Sequence, residues 1–233
     1  MILCYIVLLM LGLFIIHGIL RGSICYFLSD PVQSYVDLCD IQTGDLILFG
    51  PKRKSLFSSF FSTCTAINKP LLDKNNHFLA FHHVAIAVRM SSEVYILDIS
   101  RSNKGRVAMK NILESVYKFK RIYVRRCLPN TLRPSSKDIQ SWIDKNKDIR
   151  LVPTDSIYTM CFWILVPWLN VTRKMNPPSR TQICSQFCYN FYKHFGMLDK
   201  NFHEYDFEIT PRTLGDAEES PWLGPLERVC FYL

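Results

Sequence analysis

The sequence predicts an α+β fold, and three observations carry that expectation. Apolar residues alternate with a period of two over residues 81–88 and 93–99 and recur over 121–127, which predicts strands. Phe187, Cys188, Phe191 and Phe195 follow Cys184 at spacings of three, four, seven and eleven, drawing one apolar stripe along a helix. A separate apolar run opens the chain, so the domain is expected to begin after it.

Residues 2–20 are almost wholly apolar, broken only by His17 and glycines. About nineteen residues at 1.5 Å rise just cross a bilayer core, which predicts a transmembrane helix over 1–21. A cleaved signal would show a charged leader and a small-x-small cut site, and neither is clear here. Arg21 follows at once, with Lys52, Arg53 and Lys54 further on, so the positive-inside rule places the juxtamembrane segment 22–37 and the domain 38–233 on the cytoplasmic side. Residues 52–61 mix that basic cluster with three phenylalanines, a composition suited to a headgroup boundary or to ordinary core.

The strand at 81–88 is followed by a turn at Met90-Ser91-Ser92 and a second strand over 93–99. The polar run 100–105 then leads to a helix expected around Met109 to Lys118, a strand at 121–127, and a capped helix from Ser135 or Ser136 through Ile139, Trp142 and Ile143. Residues 160–169 are apolar but too short to span and are interrupted by Pro167; they fit a shallow membrane insertion and buried core equally well. Asn170-Val171-Thr172 is a glycosylation sequon. Pro177, Pro178 and Ser179 bar an earlier start to the Cys184 helix, for which Thr181 is the expected N-cap and Gly196 the C-terminal stop.

The 233 residues carry a formal charge of +8 with 48% apolar content, enough for one core. The basic residues are scattered and lack any recognition-helix, zinc-finger or RNP pattern, which argues against a nucleic-acid partner. An anionic membrane lipid surface accounts for them more economically. Nine cysteines, an odd number without compact pairing, suit a reducing compartment. Cys184-x-x-x-Cys188 lacks a second pair, and His194 and His203 are isolated, so neither metal nor cofactor is expected.

A thiol becomes a nucleophile as its thiolate, and an imidazolium and a helix N-terminus both favour that form. Cys184 in the first turn of its helix meets the second condition, and a strand histidine could meet the first. Of the adjacent pair, His83 is favoured over His82, because it shares a face with Ala85 and Ala87, small residues that leave room for a packed helix. Asp98, from the next strand, is either the carboxylate that orients the ring or the start of a turn. Cys188 is either core or a second thiol.

Four segments occur in a telling order: Thr43-Gly44-Asp45-Leu46-Ile47-Leu48-Phe49, His83-Val84-Ala85-Ile86, Tyr95-Ile96-Leu97-Asp98 and Cys184-Ser185-Gln186-Phe187, with Ile209-Thr210-Pro211 behind them. Over residues 38–230 this order resembles the circularly permuted branch of the NlpC/P60 papain-like superfamily, including YiiX-type hydrolases and poxvirus relatives. Two positions depart from the family pattern: Ala85 stands where glycine is usual and Gln186 where glutamate is usual.

The resemblance implies a permuted papain-like fold, with a small antiparallel sheet packed on the cysteine-bearing helix. It implies a Cys184-His83-Asp98 set that forms an acyl-enzyme, with the Cys184 amide, Gln182, Ser185 and Gln186 as oxyanion or supporting groups. The expected activity is that of a membrane-anchored thiol hydrolase or acyltransferase acting on an amide, ester or thioester of a peptide or acyl substrate, at a host or virion membrane. The alternative is a catalytically inactive membrane scaffold, such as a viral envelope or assembly protein, that keeps the fold.

Overall fold

A computed structural model describes residues 35–50, 81–100, 103–119, 121–128, 131–151, 181–182, 184–198, 211–215 and 222–230, together with scattered positions between 5 and 24. Residues 52–61, 160–169, the Asn170 sequon, His203 and Ile209-Thr210 lie outside the described residues.

Each strand forms where alternation lets two cores share one sheet. The strands are β1 (Tyr35–Asp37), β2 (Leu46–Phe49), β3 (His83–Met90), β4 (Glu93–Ser100), β5 (Arg106–Asn111), β6 (Ile122–Cys127), β7 (Arg150–Leu151), β8 (Thr181–Gln182) and β9 (Leu223–Cys230). They make one nine-stranded sheet in the order β1-β9-β6-β2-β3-β4-β5-β7-β8. The seven strands from β9 to β7 pair antiparallel, while β1 with β9 and β7 with β8 pair parallel. The α+β class is therefore present, but the sheet is larger than the small antiparallel one expected, and it is mixed at its edges. Edge strands of two or three residues carry little hydrophobic pattern, which is why the sequence does not announce them.

The helices are α1 (Leu113–Val116), α2 (Ser136–Asn146), α3 (Cys184–His194) and α4 (Pro211–Gly215). One face of the sheet, carrying Leu46, Leu48, Val84, Ile86, Val88, Leu97 and Ile99, is covered by Phe187, Cys188 and Phe191 of α3 together with Trp142 of α2. The other face collects Ile47, Phe49, Ala85, Ala87, Ile96, Val124 and Phe119. At about 1.5–3 kcal/mol for each fully buried large side chain, these two clusters hold the sheet between them. The Trp142 ring meets Phe187 at 5.0 Å and Phe191 at 5.3 Å, both edge to face, so α2 fixes α3 in place.

Caps set the helix ends. Ser135 is the N-cap of α2 and forms a capping box with Asp138. Gly196, at φ +63°, closes α3: its N–H bonds the Lys193 carbonyl at 3.2 Å and the Met197 N–H bonds the Tyr192 carbonyl at 2.9 Å, the paired bonds of a Schellman ending.

Two expectations are corrected. Met109 to Asn111 belong to β5, and the helix there is only Leu113–Val116. The long partner strand β4 templates residues 106–111 through Leu97 opposite Met109 and Ile96 opposite Lys110, which outweighs local helical preference. Thr181 is not an N-cap: Thr181 and Gln182 pair in parallel with Arg150 and Leu151, so the chain is still extended two residues before α3 begins.

The described positions between 5 and 24 are helical, and the apolar side chains of Ile6, Leu8, Leu9, Met10, Leu13, Ile16 and Leu20 are exposed. Among the described residues, no helix is long and apolar enough to cross a membrane.

Candidate active site

The site is assembled at one end of the β3–β4 pair. Their paired register runs from Met90 opposite Glu93 to Ile86 opposite Leu97, leaving His83, Val84 and Ala85 beyond its end. The start of α3 enters there, bringing the Cys184 sulfur up to the Val84 N–H and the His83 ring, both of which favour its charged form. Because Val84, Ile86 and Val88 form the apolar floor under Phe187 and Cys188, the helix is pinned with its first residue at the end of β3.

This geometry corrects the reasoning that selected His83. The helix packs on the face of Val84, Ile86 and Val88, whereas Ala85 and Ala87 lie in the opposite core. His83 reaches Cys184 because it is the first residue of β3, where the sheet ends and the ring can extend past it. It stacks against Phe49 at 5.7 Å. His82, one residue earlier, lies instead near Phe119, at 6.0 Å between centroids.

Asp98 holds the other side of the ring. His83 Nε2 and Asp98 Oδ2 are 2.7 Å apart, with the histidine side chain 14% exposed and the carboxylate 0%. With Nε2 committed to Asp98, Nδ1 is the nitrogen left for the sulfur. Asp98 Oδ1 accepts from Asn103 Nδ2 at 2.6 Å, and Oδ2 accepts also from Lys110 Nζ at 3.2 Å.

The charges at the site follow from these contacts. Burial disfavours the charged forms of all three groups, and the partners outweigh it. Against its burial, the Cys184 charge, the hydrogen bonds to Asp98 and Cys184, and the Asp98 charge raise His83 to about 10. Burial pushes the Cys184 thiol up, but the His83 charge and hydrogen bond and the Val84 N–H bring it below its ordinary value. Asp98, despite burial, is held below the usual carboxylate range by His83 and then by Lys110. Between the lowered thiol value and about 10 the arrangement is thiolate, imidazolium and carboxylate in a row, with sulfur at the N-terminus of an eleven-residue helix.

Cys188 differs: it is fully buried in the core beneath α3, and burial with the nearby Cys184 and Asp98 charges drives its thiol well up. Ser185 is buried on the first turn of α3 and Gln186 is half-buried beside it. Gln182 contributes backbone pairing to Leu151, and its side chain lies outside the described residues. Among the described residues, no cluster of three or more His, Cys, Asp or Glu side chains is placed to hold a metal ion.

The Gly44-Asp45 pair of the first motif is structural. Asp45 is fully buried; its Oδ2 accepts from the Gln42 N–H at 2.9 Å, and its Oδ1 from the Cys127 N–H at 3.1 Å and Arg133 Nη1 at 3.0 Å. Gly44 takes φ +90°, and its carbonyl accepts from the Tyr192 hydroxyl of α3 at 2.9 Å, tying the turn before β2 to the cysteine helix.

Sequence reasoning did not single out Lys110 or Asn103. The signal for Lys110 was a lysine in an otherwise apolar stretch, but the helix assigned there hid its register opposite β4. Asn103 stood in a run read only as a polar turn.

No protein-family model matches the chain, and no curated protein matches it.

Proposed function

We propose that this chain is a thiol hydrolase or acyltransferase in which Cys184 attacks the carbonyl carbon of an amide, ester or thioester. The observation that carries this reading is one imidazole set between the sulfur of Cys184, whose charge it favours, and, at 2.7 Å, a buried carboxylate. Such a row stores the nucleophile as a thiolate and keeps its proton on the ring beside it.

The steps follow from the positions of the atoms. The Cys184 sulfur adds to the carbonyl carbon, and the charge that develops on oxygen is met by backbone N–H groups at the start of α3, Cys184's own among them. The imidazolium of His83 gives its proton to the leaving group, and an acyl-enzyme remains. Neutral His83 then takes a proton from water, or from an acyl-accepting hydroxyl or amine, and the thiolate departs. Asp98 keeps the ring in the tautomer and orientation that both transfers need.

The permuted NlpC/P60 reading is supported by the order of the parts: the Gly-Asp strand β2, the histidine strand β3 and the acidic strand β4 lie side by side, and the cysteine helix comes later in the chain and packs on β3 and β4. Location at a membrane is supported by the apolar run 2–20 and by the exposed apolar side chains of its described helical positions, with the domain on the cytoplasmic side. A substrate at a lipid surface, either an acyl lipid or a peptide bond near one, fits that placement.

The test is labelling of the full chain with an electrophilic thiol probe such as a vinyl sulfone. Cys184→Ala abolishes labelling and Cys188→Ala preserves it. The reverse pattern, or equal labelling of all cysteines at the rate of a free thiol, contradicts the assignment and leaves the fold as a scaffold.

A further inference from the structure

The Asp98 carboxylate serves more side chains than an orienting role for His83 requires. From β5, Lys110 Nζ lies 3.2 Å from Oδ2, the same oxygen that His83 Nε2 reaches at 2.7 Å, and 3.4 Å from Ser100 Oγ. From the turn between β4 and β5, Asn103 Nδ2 donates to Oδ1 at 2.6 Å. The groups around Asp98 are thus His83 from β3, Lys110 from β5 with its partner Ser100, Asn103 from the turn after β4, and Cys184 with the buried Cys188 from α3. The lysine side chain is only 15% exposed. Burying an ammonium is costly, and this one is placed to share an oxygen already given to an imidazole.

We propose that Lys110 is a positioning residue of this site: by sharing Asp98 Oδ2 with His83 it limits how firmly the carboxylate holds the imidazolium, while Asn103 fixes the carboxylate's rotamer. The inference rests on the thiol-hydrolase reading. In the resting enzyme the thiolate also holds the ring's proton in place. Acylation removes that charge, because the sulfur's electron pair becomes the S–C bond while the bond to the leaving group breaks and the leaving group takes the proton from His83. In the second half, the water oxygen bonds the acyl carbon, its proton goes to His83, and the S–C electron pair returns to sulfur. Between these events the ring faces Asp98 with no thiolate beside it. A carboxylate undivided by a second cation would then keep the ring protonated and unable to act as a base. The Lys110 ammonium divides its attention.

The experiment uses the full chain carrying Cys184→Ala, which removes the thiolate as acylation does, and follows the His83 ring by NMR against pH. Lys110→Met and Lys110→Gln raise the His83 midpoint on the order of one pH unit, as expected when a cation bonded to the same carboxylate oxygen is removed at an effective dielectric near 20 and solvent screening is allowed for. Lys110→Arg holds the midpoint within a few tenths of a unit. Gln keeps a hydrogen-bond donor without the charge, so it separates electrostatics from simple support, and it stands in if Met impairs folding. A midpoint that is unmoved or lowered in both neutral variants overturns the proposal. Labelling of the Cys184-containing chain is read in parallel: normal labelling with a flat midpoint rejects the role of Lys110 and keeps the hydrolase reading, whereas a raised midpoint without labelling rejects the hydrolase reading and keeps the coupling.

Discussion

His83 and Cys184 each displace the other's titration, and the signs decide where the pair exists. His83 at about 10 lies above its ordinary 6.5, so its charge stabilises the fold fully below pH 6.5, and that contribution is lost as pH rises through about 10. Cys184 lies below its ordinary 9.0, so its thiolate contributes above that value and the contribution is lost as pH falls through the lowered one. Between the lowered thiol value and about 10, both charges stand together. A cysteine without such a partner would be mostly neutral thiol at the acid end of that window. Both residues were identifiable from sequence, because a histidine strand and a cysteine helix have recognisable periodicities. The reason for choosing His83 was wrong in its choice of face, since a two-residue period says nothing about where a strand ends. The clamp of Lys110 and Asn103 on Asp98 was not legible, since it depends on the register of β5 against β4.

At the scale of elements, the cysteine helix is held by features that sequence patterns partly reveal. The stop of this helix at Gly196 and a serine cap on α2 are local and were expected; the two-residue strand β8 ahead of it was not, because its pairing partner β7 is itself only two residues long. The turn before β2 is a connection sensitive to a single change. Gly44 sits at φ +90°, where a Cβ would lie 2.9 Å from Met197 Cε, just past the end of α3, and 3.4 Å from Cys127 Sγ. Gly44→Ala therefore combines backbone strain with a clash, although the methionine end can shift. It lowers stability by about 1–3 kcal/mol, read as a fall in the urea midpoint at unchanged slope. A midpoint equal to that of the parent chain contradicts the structural role given to this glycine.

At the scale of the whole molecule, a wide sheet separates two cores, and the thiol, ring and carboxylate meet at one end of its central strands. Buried Arg125 helps close the structure by donating to the carbonyls of Gly224, Leu223 and Leu214, which ties β9 and α4 to β6. The α+β class was readable from alternating and helical stripes; the sheet's full width was not, because β1, β7 and β8 are too short to show a pattern, β5 overlaps a stretch read as helix, and β9 carries Gly224 and Pro225, which break its alternation. The proposed membrane attachment belongs to this scale. Leu9→Arg with Leu13→Arg places two charges within the apolar run, at roughly 2.5–3.5 kcal/mol each near a bilayer centre. The full chain stays with membranes through carbonate extraction, and the doubly substituted chain appears in the supernatant. Equal retention of both contradicts an anchor in this segment.

The most direct test of the central claim, that His83 makes the Cys184 thiol a nucleophile, is the rate of Cys184 alkylation by iodoacetamide as a function of pH, with and without His83→Ala. The parent chain's inflection lies below the ordinary thiol value, whereas in the variant burial and the Asp98 charge, no longer opposed by His83, push it above that value, so the variant alkylates more slowly on the acid side of both inflections. Two profiles with the same inflection would contradict the account.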